Sequence, residues 1–293
     1  MDAVKIDRSI ISKDGKMTSF FNYNTLRVQL DRSTKSVDLK FLRPSFNLEA
    51  LFELETFFNW LATHVEINSV VISNTNKYFS TGFDSEEMQH FTPEKLHETL
   101  LRFQKLSLSM FFLPQTIIMD LKGGALGLAA EFTLGADLRL ANQSADITFN
   151  HLHQGLISSS GGIGLLAALV GNNLARNWNL SSTPIPIETL ENSGFLFQTY
   201  RENNFDTSSL CESIALQSPI SRIQTKRALL DSLLPEFERI ERNEKEFTLA
   251  GITVLDWKTY LDSLKRDERP TFFSPLELAR EISEKRKQQT STT

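Results

Sequence analysis

The feature that most constrains this chain is an alternation, over residues 26 to 170, between short strand-like apolar runs and longer segments whose apolar residues recur at helical spacing. Leu26, Val28 and Leu30, then Val37, Leu39 and Phe41, alternate with polar neighbours on either side of a polar turn from Asp31 to Ser36, the pattern of a β-hairpin. Behind Asn47, a residue suited to capping a helix, Leu48, Leu51, Leu54, Phe57, Phe58 and Leu61 predict a helix. Val70-Val71-Ile72 and Thr116 to Leu121 read as buried strands. Helices are expected around Ser85 to His90, from Pro93 to about Phe112, from Gly127 to Gly135 and from Gly162 to Val170, with short strands at Leu138-Arg139-Leu140 and Ile147 to Phe149. Strands separated by helices predict an α/β core of repeated strand-helix units.

Near residue 200 the organisation changes to charged helical segments, in which Leu210, Ile214, Ile220, Ile223, Leu229, Leu233 and Phe237 are the expected core-facing positions. The reading is therefore a core over residues 1–200 and a helical packing or oligomerisation region over 201–293, with Glu284 to Thr293 expected to fray. A net charge of −5 offers no basic stripe for a nucleic-acid backbone. The single cysteine, Cys211, excludes an intrachain disulfide framework, and five histidines with one cysteine match no zinc spacing, so no metal is expected. Met1 to Arg8 is interrupted by charge where a secretory segment would be continuous, and no apolar run reaches membrane-spanning length; the expectation is a soluble, cytoplasmic protein.

Glu131 stands out chemically. It lies in the apolar run Ala125 to Leu134, just after a Gly-Gly pair and a predicted strand. Burying a charged acid costs several kcal/mol (~2–5) unless it is paired or neutralised, and proton transfer is one reason to bear that cost. The alternative is a buried acid held by an arginine or a backbone amide.

Three segments together resemble the crotonase superfamily, the enoyl-CoA hydratase/isomerase family. Lys77 to Met88 contains Phe79-Ser80-Thr81-Gly82-Phe83-Asp84 followed by Met88, similar to the family's F-(S/A)-x-G-x-D-x-x-x-M signature. Gly123 to Ala136 resembles its Gly-rich stretch with a glutamate, followed by the Ala136-Asp137 pair. Gly155 to Gly162 continues through Leu169-Val170-Gly171 to Gly194-Phe195-Leu196 in the same register, so that the family pattern runs from about Pro114 to Leu196 without a gap. Arg43-Pro44 with Asn47 to Leu51, and Arg269-Pro270-Thr271-Phe272, extend a weaker likeness outward.

The resemblance implies a crotonase-type α/β fold and an acyl-CoA or other acyl-thioester substrate, coenzyme A entering as part of the substrate and no separate cofactor. It implies that the amides of Phe83 and Leu128 form an oxyanion hole for a thioester enolate, where each preorganised donor contributes ~3 kcal/mol. It places Glu131 at the first of the two glutamates that family hydratases use on water. Twenty residues on, where the second belongs, this chain has His151. An imidazole can exchange a proton near neutrality, or serve as a neutral hydrogen-bonding group in a site whose reaction is changed or lost. His153, two residues along an expected extended segment, would face the same side. Ser80, Thr81 and Gly82, with Lys40 or Arg43, are the implied contacts to the coenzyme, and trimers or pairs of trimers the implied assembly. Hydratase or isomerase chemistry is thus one expectation. The other is a non-catalytic or specialised acyl-thioester-binding protein, with an acyl-CoA or acyl-carrier-protein ligand. Asp120, interrupting an apolar strand, is expected to be a strand-end hydrogen-bonding group, and His90 a solvated residue.

Overall fold

The hairpin opens the main sheet. The structure, a computed structural model, describes residues 18–19, 21–201, 205–231, 233–277 and 279–280; Met1 to Arg8 and Glu284 to Thr293 lie outside the described residues. The strands are β1 (Thr18–Ser19), β2 (Leu26–Asp31), β3 (Ser36–Phe41), β4 (Ser69–Asn74), β5 (Thr116–Asp120), β6 (Gly124–Leu126), β7 (Leu138–Asn142), β8 (Asp146–Thr148) and β9 (Gln198–Tyr200). Seven of them form one sheet in the order β1-β2-β3-β4-β5-β7-β9. β2 and β3 pair antiparallel with Val28 opposite Leu39, and from β3 onward the pairing is parallel. β6 and β8 make a separate parallel pair. There Gly124 has φ +148° and a side chain would put Cβ 2.2 Å from Asp146 O, so only glycine fits.

The helices are α1 (Leu48–Thr63), α2 (Ser85–Met88), α3 (Pro93–Phe112), α4 (Leu128–Phe132), α5 (Gly164–Val170), α6 (Asn172–Ser181), α7 (Ile187–Asn192), α8 (Ser208–Ala215), α9 (Pro219–Asp231), α10 (Leu234–Thr253) and α11 (Asp256–Lys265). Asn47 caps α1 by accepting from Ala50 N at 2.8 Å, and Thr92 caps α3 ahead of Pro93. Alternation along the sheet sorts its residues by face. Val70, Ile72, Ile117 and Met119 join the main core, while Val71, Ile118 and Leu140 pack with Cys211 and Ile214 of α8 on the other face. Phenylalanine fills the interior: Phe46 stacks on Phe103 at 5.5 Å and meets Phe79 and Phe132 edge-on. Asp120 accepts from Tyr200 Oη at 2.6 Å and Lys122 N at 3.1 Å, ending β5 as expected, and His90 is exposed.

Two local readings are corrected. Ile220 and Leu229 were expected to face the core but are exposed, and Leu230 is buried in place of Leu229. The inner stripe of α9 is polar: Arg222 reaches Asn68, Lys226 pairs with Asp137 at 2.6 Å, and Leu230 completes the four-residue spacing, which turns Leu229 outward. His151 and His153 do not share a face. They lie in a 3₁₀ turn over His151–Gln154, closed by Gly155 at φ +65°, and His151 is buried while His153 is exposed. A Cβ on Gly155 would meet Asp256 of α11, so a side chain there is blocked by both conformation and packing.

Candidate active site

The backbone at Gly82–Phe83 approaches the start of α4. Phe46 and Phe83 form a parallel bridge in which Phe46 N donates to Gly82 O at 2.8 Å and Asp84 N to Phe46 O at 2.7 Å. In such a bridge the central residue's own N–H points away from its partner. The Phe83 amide is therefore turned from Phe46, beside the Gly127–Leu128 turn: a Cβ on Gly82 would lie 3.2 Å from Leu126 O and 3.9 Å from Leu128 N. Leu128 is the first residue of α4, where an N–H has no partner within the helix. Neither amide donates to an acceptor among the described residues. The Phe83 ring packs against Phe91 and Phe103, and Leu128 is buried.

Glu131, in α4, is wholly buried. Its Oε1 accepts from Ser160 N and Gly162 N, each at 3.0 Å, and its Oε2 lies 2.8 Å from His151 Nε2. The two atoms are in close contact without the geometry of an aligned hydrogen bond. On its other side, His151 Nδ1 lies 3.1 Å from Ser158 Oγ, which in turn donates to Asn179 Oδ1 at 2.7 Å. A Cβ on Gly162 would fall 2.5 Å from Glu131 Oε1 and 2.8 Å from Ser158 Cβ, so this glycine admits the carboxylate.

A second buried carboxylate holds the same loop from behind. Glu244, on α10, accepts from Gly161 N at 2.8 Å, Ile163 N at 3.2 Å, Gly164 N at 3.1 Å and Gln104 Nε2 at 3.1 Å. Loop amides 160 and 162 thus serve Glu131 while 161, 163 and 164 serve Glu244. Burial, and then the neighbouring Glu131 charge, push the Glu244 carboxyl up to about 7.

His151 lines a small cavity of about 40 Å³ with Phe83, Leu128, Gln154, Ser159 and Tyr260 of α11; Met88, Leu96 and Leu100 add apolar wall. Glu131 does not line it. The acid expected to meet substrate lies behind the imidazole. Of the implied coenzyme contacts, Ser80 is buried with its hydroxyl turned to Gly82, Gly82 is buried, and Thr81 is exposed with its amide bonded to Pro44 O at 2.8 Å, which sets Arg43 beside it. Arg43 is exposed; Lys40 is half-buried and paired with Asp38 at 2.9 Å. A larger cavity of about 520 Å³ lies under α9, away from these groups; its Lys226 pairs with Asp137, and its Arg139 donates to carbonyls of Thr133, Ala136 and Phe195. Among the described residues no group of three or more His, Cys, Asp or Glu could hold a metal, and no helix is long and apolar enough to cross a membrane.

Ser158, Asn179, Glu244 and Tyr260 were not singled out from sequence. Glu244 alone carried a signal: Phe237, Ile240, Thr248 and Ile252 are buried at spacings of three and four, and the glutamate falls on that stripe. Ser158 is one of three consecutive serines, and Asn179 resembles any polar residue of a surface helix.

Comparison with known proteins places this geometry. The chain is similar to ethylmalonyl-CoA decarboxylase of Homo sapiens, 29% identical over 174 residues, covering 57% of this chain and 52% of that protein, so the match spans about half the relative's length. It is 24% identical to trans-2-decenoyl-[acyl-carrier-protein] isomerase of Streptococcus mutans serotype c over 202 residues, 67% of this chain and 69% of that one. The crystal structure of an enoyl-CoA hydratase from Mycobacterium avium subsp. paratuberculosis K-10 superposes with a TM-score of 0.75 at 20% identity, over 86% of this chain and 100% of that chain, which shows the crotonase-type fold. A family model described as enoyl-CoA hydratase/isomerase matches residues 33–251, from the hairpin turn to the end of α10, and the chain belongs to that family.

Proposed function

We propose that this protein is an enzyme acting on acyl thioesters, an acyl-CoA or an acyl-carrier-protein conjugate, through an enolate held by the Phe83 and Leu128 amides. The observation that carries the reading is the His151–Glu131 contact of 2.8 Å, with the imidazole on the wall of the cavity that Phe83 and Leu128 also line. His151 moves the α-proton, and Glu131, fastened by two amides, supplies negative charge behind the ring. Glu131 thus acts through His151. This arrangement suits double-bond migration or protonation of an enolate better than hydration, for which family members use two carboxylates. Ser80 to Gly82 with Arg43 would contact the coenzyme, and assembly as trimers or pairs of trimers belongs to the same proposal.

The test is incorporation of deuterium at the α-carbon of butyryl-CoA in D2O. Exchange is expected, since it needs the enolate and nothing else. Binding of the thioester without exchange would favour the alternative, a binding protein that retains the fold. Leu128→Pro removes one oxyanion donor at a helix position that tolerates proline, and a loss of about 100- to 1,000-fold is expected, against little change in Leu128→Ala, which keeps the amide.

The cavity, at about 40 Å³, holds a few waters and limits the acyl group. Tyr260→Ala removes a wall contributed by α11. Its expected result is a shift of turnover toward longer acyl chains, read as kcat/KM across a series from acetyl- to decanoyl-CoA, with exchange on the shortest substrate unchanged.

A further inference from the structure

The cavity of about 520 Å³ under α9 shares no lining residue with the small cavity beside His151, and its wall changes character along the helix. Ser218, Ser221 and Arg222 line it at and just before the start of α9, Lys226 in the middle, and Leu230 and Leu233 at and just beyond the end. Phe111 lies at the Leu233 end, because its ring is 5.2 Å from that of Phe237, whose N–H donates to Leu233 O. Ala136 and Leu169 add apolar wall. The charge in this cavity does not balance. Arg139, Arg222 and Lys226 face a single carboxylate, Asp137, and its Oδ2 is already taken by Lys226 Nζ at 2.6 Å. Burial lowers both Lys226 and Arg139, the latter to about 10, which leaves Arg139 charged at neutral pH with no carboxylate in ion-pair contact among the described residues.

Arg139 also has a donor to spare. Its Nε donates to Phe195 O at 2.6 Å, and its Nη1 to Ala136 O at 2.7 Å and Thr133 O at 3.2 Å, whereas Nη2 has no partner among the described residues. Nη2 is not sealed off, as Arg222 Nε is; it keeps accessible surface, and in a residue that is 6% exposed and lines the cavity that surface belongs to the cavity. Lys226 engages two of its three hydrogens, with Asp137 and with Gln115 O at 2.9 Å, and has a third to offer. We propose that this cavity binds a free fatty acid, its carboxylate against Arg139 Nη2 and Lys226 Nζ and its chain along Leu230, Leu233 and Phe111. The carboxylate accepts charge-assisted hydrogen bonds from both cations, and the chain takes the apolar wall out of water. Inorganic phosphate would leave that wall wet, and an uncharged alkyl chain would leave Nη2 unpaired. The site goes beyond the acyl-thioester reading and does not rest on it, because a thioester lacks the carboxylate this cavity selects.

The test is isothermal titration of the full chain with decanoate, beside decanol and octanoate. Decanoate is expected to saturate one site per chain. Decanol, which lacks the charge, is expected to bind about 10- to 100-fold more weakly, and octanoate, two methylenes shorter, about 10-fold more weakly. Saturating decanoyl-CoA is expected to leave decanoate in place, which separates the free acid from an acyl chain carried on coenzyme. Decanoic acid bearing a terminal diazirine, irradiated on the wild type, is expected to label peptides that carry Phe111 or Leu230. Leu169→Trp, which fills the cavity from a half-buried position, is expected to weaken decanoate about 10-fold or more with the helical circular dichroism unchanged. If that variant fails to fold, the labelling of the wild type decides. Equal affinity for decanol and decanoate, displacement by decanoyl-CoA, or label on Met88 or Tyr260 of the small cavity would each overturn the proposal. So would the lack of saturable binding, as when a second copy of the chain closes the cavity.

Discussion

Replacement of His151 by alanine is expected to lower α-proton exchange by about 100- to 10,000-fold, the range in which a positioned acid or base contributes. The imidazole lies on the cavity wall with Phe83 and Leu128, and no carboxylate lines that cavity to take its place. Glu131→Gln should cost less. Its amide oxygen can still accept from Ser160 N and Gly162 N, which keeps the loop in place, and only the charge behind the ring is lost. The measurement is deuterium incorporation into butyryl-CoA for both variants beside isothermal titration with the same thioester. Equal exchange in His151→Ala and wild type would remove the histidine from the chemistry.

Glu244→Ala is expected to destabilise the fold by about 3–5 kcal/mol, because three loop amides and the Gln104 amide lose a buried acceptor together. Its pH dependence has a definite sign. Burial and the Glu131 charge raise the native carboxyl to about 7, whereas the unfolded chain releases that proton near 4.5. Between those values the native state binds the extra proton, so this contribution to stability is complete at low pH and is lost as pH rises through 7, by about 3 kcal/mol in all. Urea midpoints compared at pH 5 and pH 8 should fall in the wild type, and that fall should flatten in Glu244→Gln. A wild-type midpoint that rises over this interval would contradict the assignment of the proton to Glu244.

Much of the framework was legible because it rests on local periodicity. The alternation in Leu26 to Phe41 gave the hairpin, and Asn47 with its apolar spacing gave α1, since both patterns reflect one buried face of one element. That Phe83, Leu128, Glu131 and His151 would lie near one another followed from the family resemblance. Which of them lines the cavity did not, because whether a side chain meets the cavity or stands behind another depends on a 3₁₀ turn and a glycine loop that leave no periodic trace. The outward turn of Leu229 escaped for a related reason: the inner face of α9 is defined by charges that find partners on distant strands, and a hydrophobicity pattern counts such residues as solvent-facing.

Glu244 also sets an order of assembly. The carboxylate that gathers Gly161 N is 83 residues further along the chain, and every described strand precedes it. During synthesis the sheet and α4 can emerge with Glu131 already in place while the loop that must cradle that carboxylate still lacks its second anchor. Completion of the site is thus deferred until α10 has left the ribosome, and a chain arrested near residue 230 would carry every described strand, the Phe83 and Leu128 amides and the His151–Glu131 pair, with the loop held by Glu131 alone.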